Sequence, residues 1–166
     1  MTQVKNVSEL NKLKIRLFVE AVWNEGRLEL IHELVAADYI GHFPCSETAV
    51  AGPEGVIRLV SGYRRADPGL YIKIMDQIAE DDRVVTCWQM TTAAPGARAA
   101  GRTAYYTGIS VIRLLAGKQV DSRTECAVSP PARSAGRPGH EDPVPRDLTR
   151  CPTSRCRLGA DTDRSA

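Results

Sequence analysis

The feature that most constrains this chain is a change of hydrophobic period at Asp67-Pro68. Before that pair apolar residues recur at helical spacing, and after it they alternate every second residue. Residues 8–25 predict an amphipathic helix with Leu10, Leu13, Leu17, Phe18, Ala21 and Val22 on one stripe. Ser8 is placed to cap it and Gly26 to end it. A second helix is expected at about 28–37, with Leu28, Ile31, Leu34 and Val35 inward. Residues 38–52, DYIGHFPCSETAVAG, hold two glycines and a proline and read as an extended loop. Pro53 then opens a third helix, 53–66, with Val56, Leu59, Val60 and Tyr63 as its buried face. Four strands follow: LYIKIMDQIAE (70–80), RVVTCWQMTT (83–92), TAYYTGISVIRLL (103–115) and KQVDSRTECA (118–127). Asp81-Asp82 and Ala116-Gly117-Lys118 are turn signals, and AAPGARAAGR (93–102) is a longer, flexible connection. Helices first and strands after them indicate an α+β fold with an antiparallel sheet, not a parallel βαβ arrangement.

Composition divides the chain a second time. Its 166 residues, 43% hydrophobic and 25% charged, suit one ordinary soluble domain. Residues 1–126 balance 15 basic against 15 acidic side chains, while 127–166 carry 7 Arg against 5 acids, which is the entire net charge of +2. That last segment also holds 6 of the 10 prolines, and its large apolar residues are Val128, Val144, Leu148 and Leu158. So little apolar surface does not offset the entropy of ordering a chain. Residues 1–126 therefore read as the folded domain and 127–166 as a disordered Arg/Pro-rich tail. The tail has no Lys, Ile, Phe, Tyr or Trp, the product expected of a GC-rich gene read in a shifted frame. Its arginines alternate with acids, so a solvated segment is expected and no nucleic-acid partner. No run of about 18 apolar residues exists and the N-terminus lacks the apolar core of a secretory signal, so a cytoplasmic protein without a membrane partner is expected. Five cysteines, at 45, 87, 126, 151 and 156, form no CxxC and face no zinc-spaced His pair, which predicts free thiols and no metal. No GxGxxG or Walker lysine motif is present, and no cofactor is expected.

Particular residues point to a family. VWNEG (22–26), DYIGHFP (38–44), GPEGV (52–56), DPGLYIKI (67–74), EDDRVVTCWQM (80–90) and TGISVIRLLAGKQVDSRTE (107–125) occur in this order and spacing. Together they resemble the SnoaL-like polyketide cyclases of the nuclear transport factor two-like superfamily, over about residues 10–126. The resemblance implies an α+β cone, in which three N-terminal helices pack on a curved sheet around one pocket. It further implies a hydrophobic, polyketide-type small-molecule substrate in secondary metabolism, such as antibiotic biosynthesis, and a homodimer formed through the sheet. Members close rings by aldol addition, isomerise, dehydrate, open epoxides, assist hydroxylation, or bind small molecules without turnover. The aldol cyclases place an acid/base Asp seven residues after the turn glycine and a His seven residues before it. With Gly117 as that glycine, the matching positions are Thr124 and Ser110. Both partners are hydroxyls here, and a hydroxyl alone does not deprotonate a carbon acid at neutral pH.

Three other residues are candidates for acid or base. His42 follows the second helix at what the resemblance makes the cavity mouth, and imidazole titrates near neutrality. The competing reading is a rim histidine bonded to a carbonyl. Asp121 and Glu125 lie on the last strand, on the face opposite Thr124, and read either as catalytic carboxylates or as an outer charge network with Arg123. Tyr39, Phe43, Trp88, Met90 and Tyr106 are candidate pocket walls, with Ser110 and Thr124 as donors to a substrate carbonyl. Each of these five wall residues, taken alone, reads first as core packing.

Overall fold

The computed structural model describes residues 2–44, 46, 48–93 and 103–129. The expected tail from residue 130 on and the connection at 94–102 lie outside the described residues. Helix α1 spans Thr2–Leu17 and continues as a π-helical segment, Phe18–Asn24. The stripe that it buries differs from the expected one. Leu10, Leu13 and Leu17 are exposed, whereas Asn11, Ile15, Phe18, Ala21 and Val22 are buried. The sequence carries two overlapping stripes here. The inward one contains Asn11, whose Nδ2 donates to the Asp81 carbonyl in a strand turn at 3.0 Å. The helix ends at Gly26, at φ +78°, where a Cβ would lie 2.7 Å from Arg64 Nε. Arg64 Nη1 donates to the carbonyls of Trp23 and Asn24, each at 2.7 Å, so a cation neutralises the helix's unpaired C-terminal end.

The second helix is shorter than its period suggested. A 3₁₀ turn at Leu28–Leu30 leads into α2, Ile31–Leu34, and the chain then becomes strand β1, Val35–His42. Half of the expected loop is thus sheet. β1 gains its backbone hydrogen bonds by lying parallel to the last strand, with Ile40 opposite Asp121. A two-residue strand β2, Val50–Ala51, pairs with β1. Helix α3, Gly52–Ala66, carries Pro in its first turn and buries Val56 and Val60.

The remaining strands are β3 (Tyr71–Glu80), β4 (Arg83–Ala93), β5 (Thr103–Leu115) and β6 (Lys118–Ser129). The sheet order is β2-β1-β6-β5-β4-β3, antiparallel except for β1 with β6, so the sheet is mixed rather than wholly antiparallel. Register shifts between Ile74 and Asp76 and between Arg113 and Leu114 bend the strands, as bulges do. The helices pack on the concave side in three apolar clusters. Phe18, Val22, Ile31, Leu34, Val35, Val56 and Val60 join the helices to β1. Ile15 packs on Val84, Ile112 and Leu114, and Leu70, Met90, Ala104 and Tyr106 close the far end. Each such side chain contributes about 1.5–3 kcal/mol when fully buried. Asn24 ties helix to sheet, with Nδ2 donating to the Ile72 carbonyl at 2.9 Å and Oδ1 accepting from the Ile72 amide at 2.8 Å. No helix among the described residues is long and apolar enough to cross a membrane.

Candidate functional site

Side-chain alternation decides what faces the helices. In β4 the inward residues are Val84, Thr86, Trp88 and Met90; in β5 they include Tyr106, Ser110 and Ile112; in β6 they are Gln119, Ser122, Thr124 and Cys126. The bulge opposite Arg113 and Leu114 lets Gln119 and Ser122 share a face although they are three residues apart. Register sets three hydroxyls in one row across three strands, because Thr86 pairs with Ser110 and Ser110 with Thr124. Ser110 Oγ and Thr124 Oγ1 are 2.9 Å apart.

Two donor chains end on this row. Trp88 Nε1 donates to Ser110 Oγ at 3.0 Å. The indole lies across Gly108, where a Cβ would come within 2.3 Å of Trp88 Cζ2 and 2.7 Å of the Glu125 carbonyl, so glycine is required. An indole N–H only donates, and one hydroxyl hydrogen joins Ser110 to Thr124. The other hydroxyl hydrogen of the pair is left for a further acceptor. In the second chain, Arg16 Nε donates to Gln77 Oε1 at 2.7 Å, and Gln77 Nε2 donates to Thr86 Oγ1 at 3.2 Å. Thr86 is 1% exposed and accepts from Gln77, so its own hydrogen must point elsewhere. A row of hydroxyls that already accept is biased toward donating, and hydrogen bonds in a chain strengthen one another.

The row forms part of the wall of a cavity between the helices and the sheet. The space it encloses, counted together with the open solvent at its mouth, is about 940 Å³. Val19, Trp23, Val56, Leu59 and Tyr63 supply the apolar wall facing the strands, and Ile72 of β3 adds to the sheet side. Trp23 and Tyr63 meet edge to face, with centroids 5.5 Å apart. At the β1 side, Tyr39 is 3% exposed and its hydroxyl lies 2.5 Å from Ser122 Oγ. Burial pushes the Tyr39 phenol up to about 12, the Ser122 hydrogen bond opposing and the Asp121 charge adding to the rise. Tyr39 therefore remains a neutral donor at physiological pH.

All seven residues read from sequence as walls or donors line this cavity: Tyr39, Phe43, Trp88, Met90, Tyr106, Ser110 and Thr124. The three acid/base candidates do not line it. His42 is exposed because Tyr39, Gly41 and Phe43 take the inward positions of alternation, leaving the even-numbered residue outside. Glu125 is exposed on the outer face of β6, and Asp121 is half-buried opposite Ile40, outside the lining. The lining also includes Thr86, Gln119, Ser122 and Cys126, which sequence reasoning passed over. Period-two counting from Thr124 reaches Ser122 and Cys126, and from Trp88 it reaches Thr86, so that signal was present. Among the described residues, the cavity lining contains no carboxylate, imidazole, ammonium or guanidinium.

Comparison with known proteins agrees with this architecture. The SnoaL-like polyketide cyclase family model matches residues 13–131. The chain belongs to that family. Its residues 13–131 run from the middle of α1 through the end of β6, the whole cone. A SnoaL-like candidate polyketide cyclase from Jannaschia sp. CCS1 superposes with a TM-score of 0.63 at 19% identity, covering 72% of this chain and 87% of that one. IdmH from Streptomyces antibioticus, a candidate polyketide cyclase, gives 0.63 at 23% identity over 70% and 91% of the two chains. AclR from Streptomyces galilaeus, a candidate hydroxylase, gives 0.60 at 21% over 72% and 79%. At these identities the likeness is one of fold. No curated protein sequence matches the chain.

Proposed function

We propose that this SnoaL-like protein binds a hydrophobic, carbonyl-bearing, polyketide-type molecule and promotes its cyclisation or a related proton shift by polarising a carbonyl. The single observation that carries this reading is the row Thr86, Ser110 and Thr124, three hydroxyls in register inside a largely apolar chamber. A ketone oxygen seated on the row accepts the hydrogen that the Ser110–Thr124 pair does not spend internally. Donors fixed in advance and shielded from water favour the enol or enolate form over the ketone. The apolar wall holds a flexible chain folded, which supplies proximity of the reacting carbons. Among the described lining residues no group is a strong base, so the α-hydrogen passes to an enolate oxygen of a neighbouring β-dicarbonyl unit of the substrate rather than to a side-chain carboxylate.

Turnover of an aromatic poly-β-ketoester, followed by liquid chromatography as loss of the open-chain ketone, with mass spectrometry to identify an isomeric or dehydrated product, tests the reading. Ser110→Ala should lower kcat about 10- to 100-fold, given the usual effect of removing one oxyanion donor. Unchanged kcat would remove the hydroxyl row from the mechanism. A second reading, ligand binding without turnover, is favoured by the uncharged lining itself. It predicts saturable quenching of tryptophan fluorescence by the same ester with no product.

A further inference from the structure

The hydroxyl row uses one end of the inner face of β6, and the other end carries a second set of donors. Gln119 is 3% exposed, lines the cavity, and its Nε2 has no hydrogen-bond partner among the described residues. It sits between two apolar neighbours in register, Val35 of β1 and Leu114 of β5. Neither offers a side-chain acceptor. A buried amide donor left unpaired is a net cost to the folded state, so an acceptor supplied from outside the chain is the natural complement. Next along the same face, Ser122 Oγ and Tyr39 OH share one hydrogen between them at 2.5 Å. The pair has two hydrogens and uses one, so one O–H also remains available. Both Ser122 and Tyr39 are buried at the cavity wall.

We propose that Gln119 Nε2, with the Tyr39–Ser122 hydroxyl pair, forms a second acceptor-oxygen site, so that the cavity selects ligands carrying two separated carbonyl or phenol oxygens. The two sites are spaced by the strand itself. Thr124 and Ser122 are successive inward residues of β6, about 6–7 Å apart at about 3.3 Å per residue. Gln119 extends the second site beyond the bulge. A molecule with one oxygen engages one site and leaves the other dry and unpaired. A molecule with two oxygens across an apolar ring system engages both and is fixed against rotation about its long axis. The site takes acceptors and discriminates against ammonium groups, because Nε2, like the spare hydroxyl hydrogens, is a donor. This second site rests on the reading of the cavity as a carbonyl-binding chamber.

The test compares two rigid probes by quenching of tryptophan fluorescence: fluorenone, with one carbonyl oxygen, and 9,10-anthraquinone, with two on opposite edges. The wild-type protein should bind anthraquinone about 5- to 10-fold more tightly, the usual return on one additional satisfied hydrogen bond. Gln119→Leu keeps the volume and removes the donor. It should abolish the preference while leaving fluorenone affinity within about twofold. Its melting temperature without ligand should stay level or rise, because an unpaired buried donor has been replaced by apolar surface. A structural role for Gln119 would lower it. Ser122→Ala serves as the second variant and should also narrow the preference. If fluorenone binds but anthraquinone binds no more tightly, or if Gln119→Leu weakens both probes equally, the two-oxygen site is overturned and the chamber stands. If neither probe binds, the carbonyl-binding chamber falls and the second site falls with it.

Discussion

The two faces of β4–β6 depart from the usual distribution of polarity. An antiparallel sheet with one face in water ordinarily turns aliphatic residues inward and polar ones outward. Here Thr86, Ser110, Ser122, Thr124 and Gln119 point inward, while Ile109 at 50% and Val111 at 36% point outward beside Arg113, Arg123 and Glu125. Packing alone would not select this arrangement, because each inward hydroxyl costs desolvation unless it is hydrogen-bonded. The concave face meets that requirement by cross-strand pairing and by the two chains of donors. The polar residues retained inside are ones that line the cavity, and the outer face tolerates apolar ones. The candidate chemistry belongs to the concave side, and charge is confined to the convex side.

That contrast can be broken at its most crowded point. Gly108→Ala places a methyl group against the Trp88 ring and the Glu125 carbonyl. It should destabilise the protein by about 3 kcal/mol, at the upper end for an overpacked site, and shift the indole from Ser110. Denaturant unfolding, together with the Trp fluorescence maximum, measures both effects; an unchanged midpoint would show that the indole does not cross Gly108.

The next effect concerns alkaline pH. The Tyr39 phenol titrates at about 12 in the folded protein against about 10 unfolded. Between those values the unfolded chain has lost the proton and the native chain keeps it, so stability falls as pH rises from 10 to 12. Two pH units at about 1.4 kcal/mol each give a loss of nearly 3 kcal/mol at most. Tyr39→Phe should flatten the decline in unfolding free energy over that window, and an equally steep decline in the variant would assign it to other groups.

A smaller effect is expected from the donor chain that begins outside the cavity. Arg16→Met removes the guanidinium from Gln77 without altering the lining. It should weaken binding of a ketone by about three- to fivefold through a less polarised Thr86, with little change in melting temperature. Equal affinities in calorimetry would disconnect Arg16 from the row. On the convex face, Ile109→Lys should change stability by no more than about 0.5 kcal/mol and leave ligand affinity unchanged. A change in sedimentation behaviour would instead identify that face as covered in solution.

Much of this was legible in the sequence, for reasons that differ by element. Strands β3 to β6 have long period-two runs of β-branched and aromatic residues, and α3 has Pro53 at its start and Asp67-Pro68 at its end. β1 was missed because Ala36, Ala37, Asp38 and Gly41 have weak strand preference. Its conformation comes from the free edge of β6, a partner about 80 residues away that no local window contains. The cavity walls followed from residue type and alternation together. The acid/base candidate His42 was chosen by residue type and by the mouth position that the resemblance implies, and the alternation of β1, once that strand is recognised, turns it outward. Gln119 and Ser122 were passed over because a polar residue near a turn ordinarily faces water. Counting by twos from Thr124 already turns Ser122 inward, and the bulge opposite Arg113 and Leu114 brings Gln119 to the same face.

The pairing of β1 with β6 has a consequence in time. Tyr39 reaches Ser122 across 83 residues of sequence, so this wall closes by one of the longest-range contacts in the fold. Contacts of such range carry the largest loop-closure entropy and form late. During synthesis all three helices and five strands leave the ribosome before residues 118–129 do. Until then no chamber exists to receive a ligand, and the inner hydroxyls of β4 and β5 are still in contact with water.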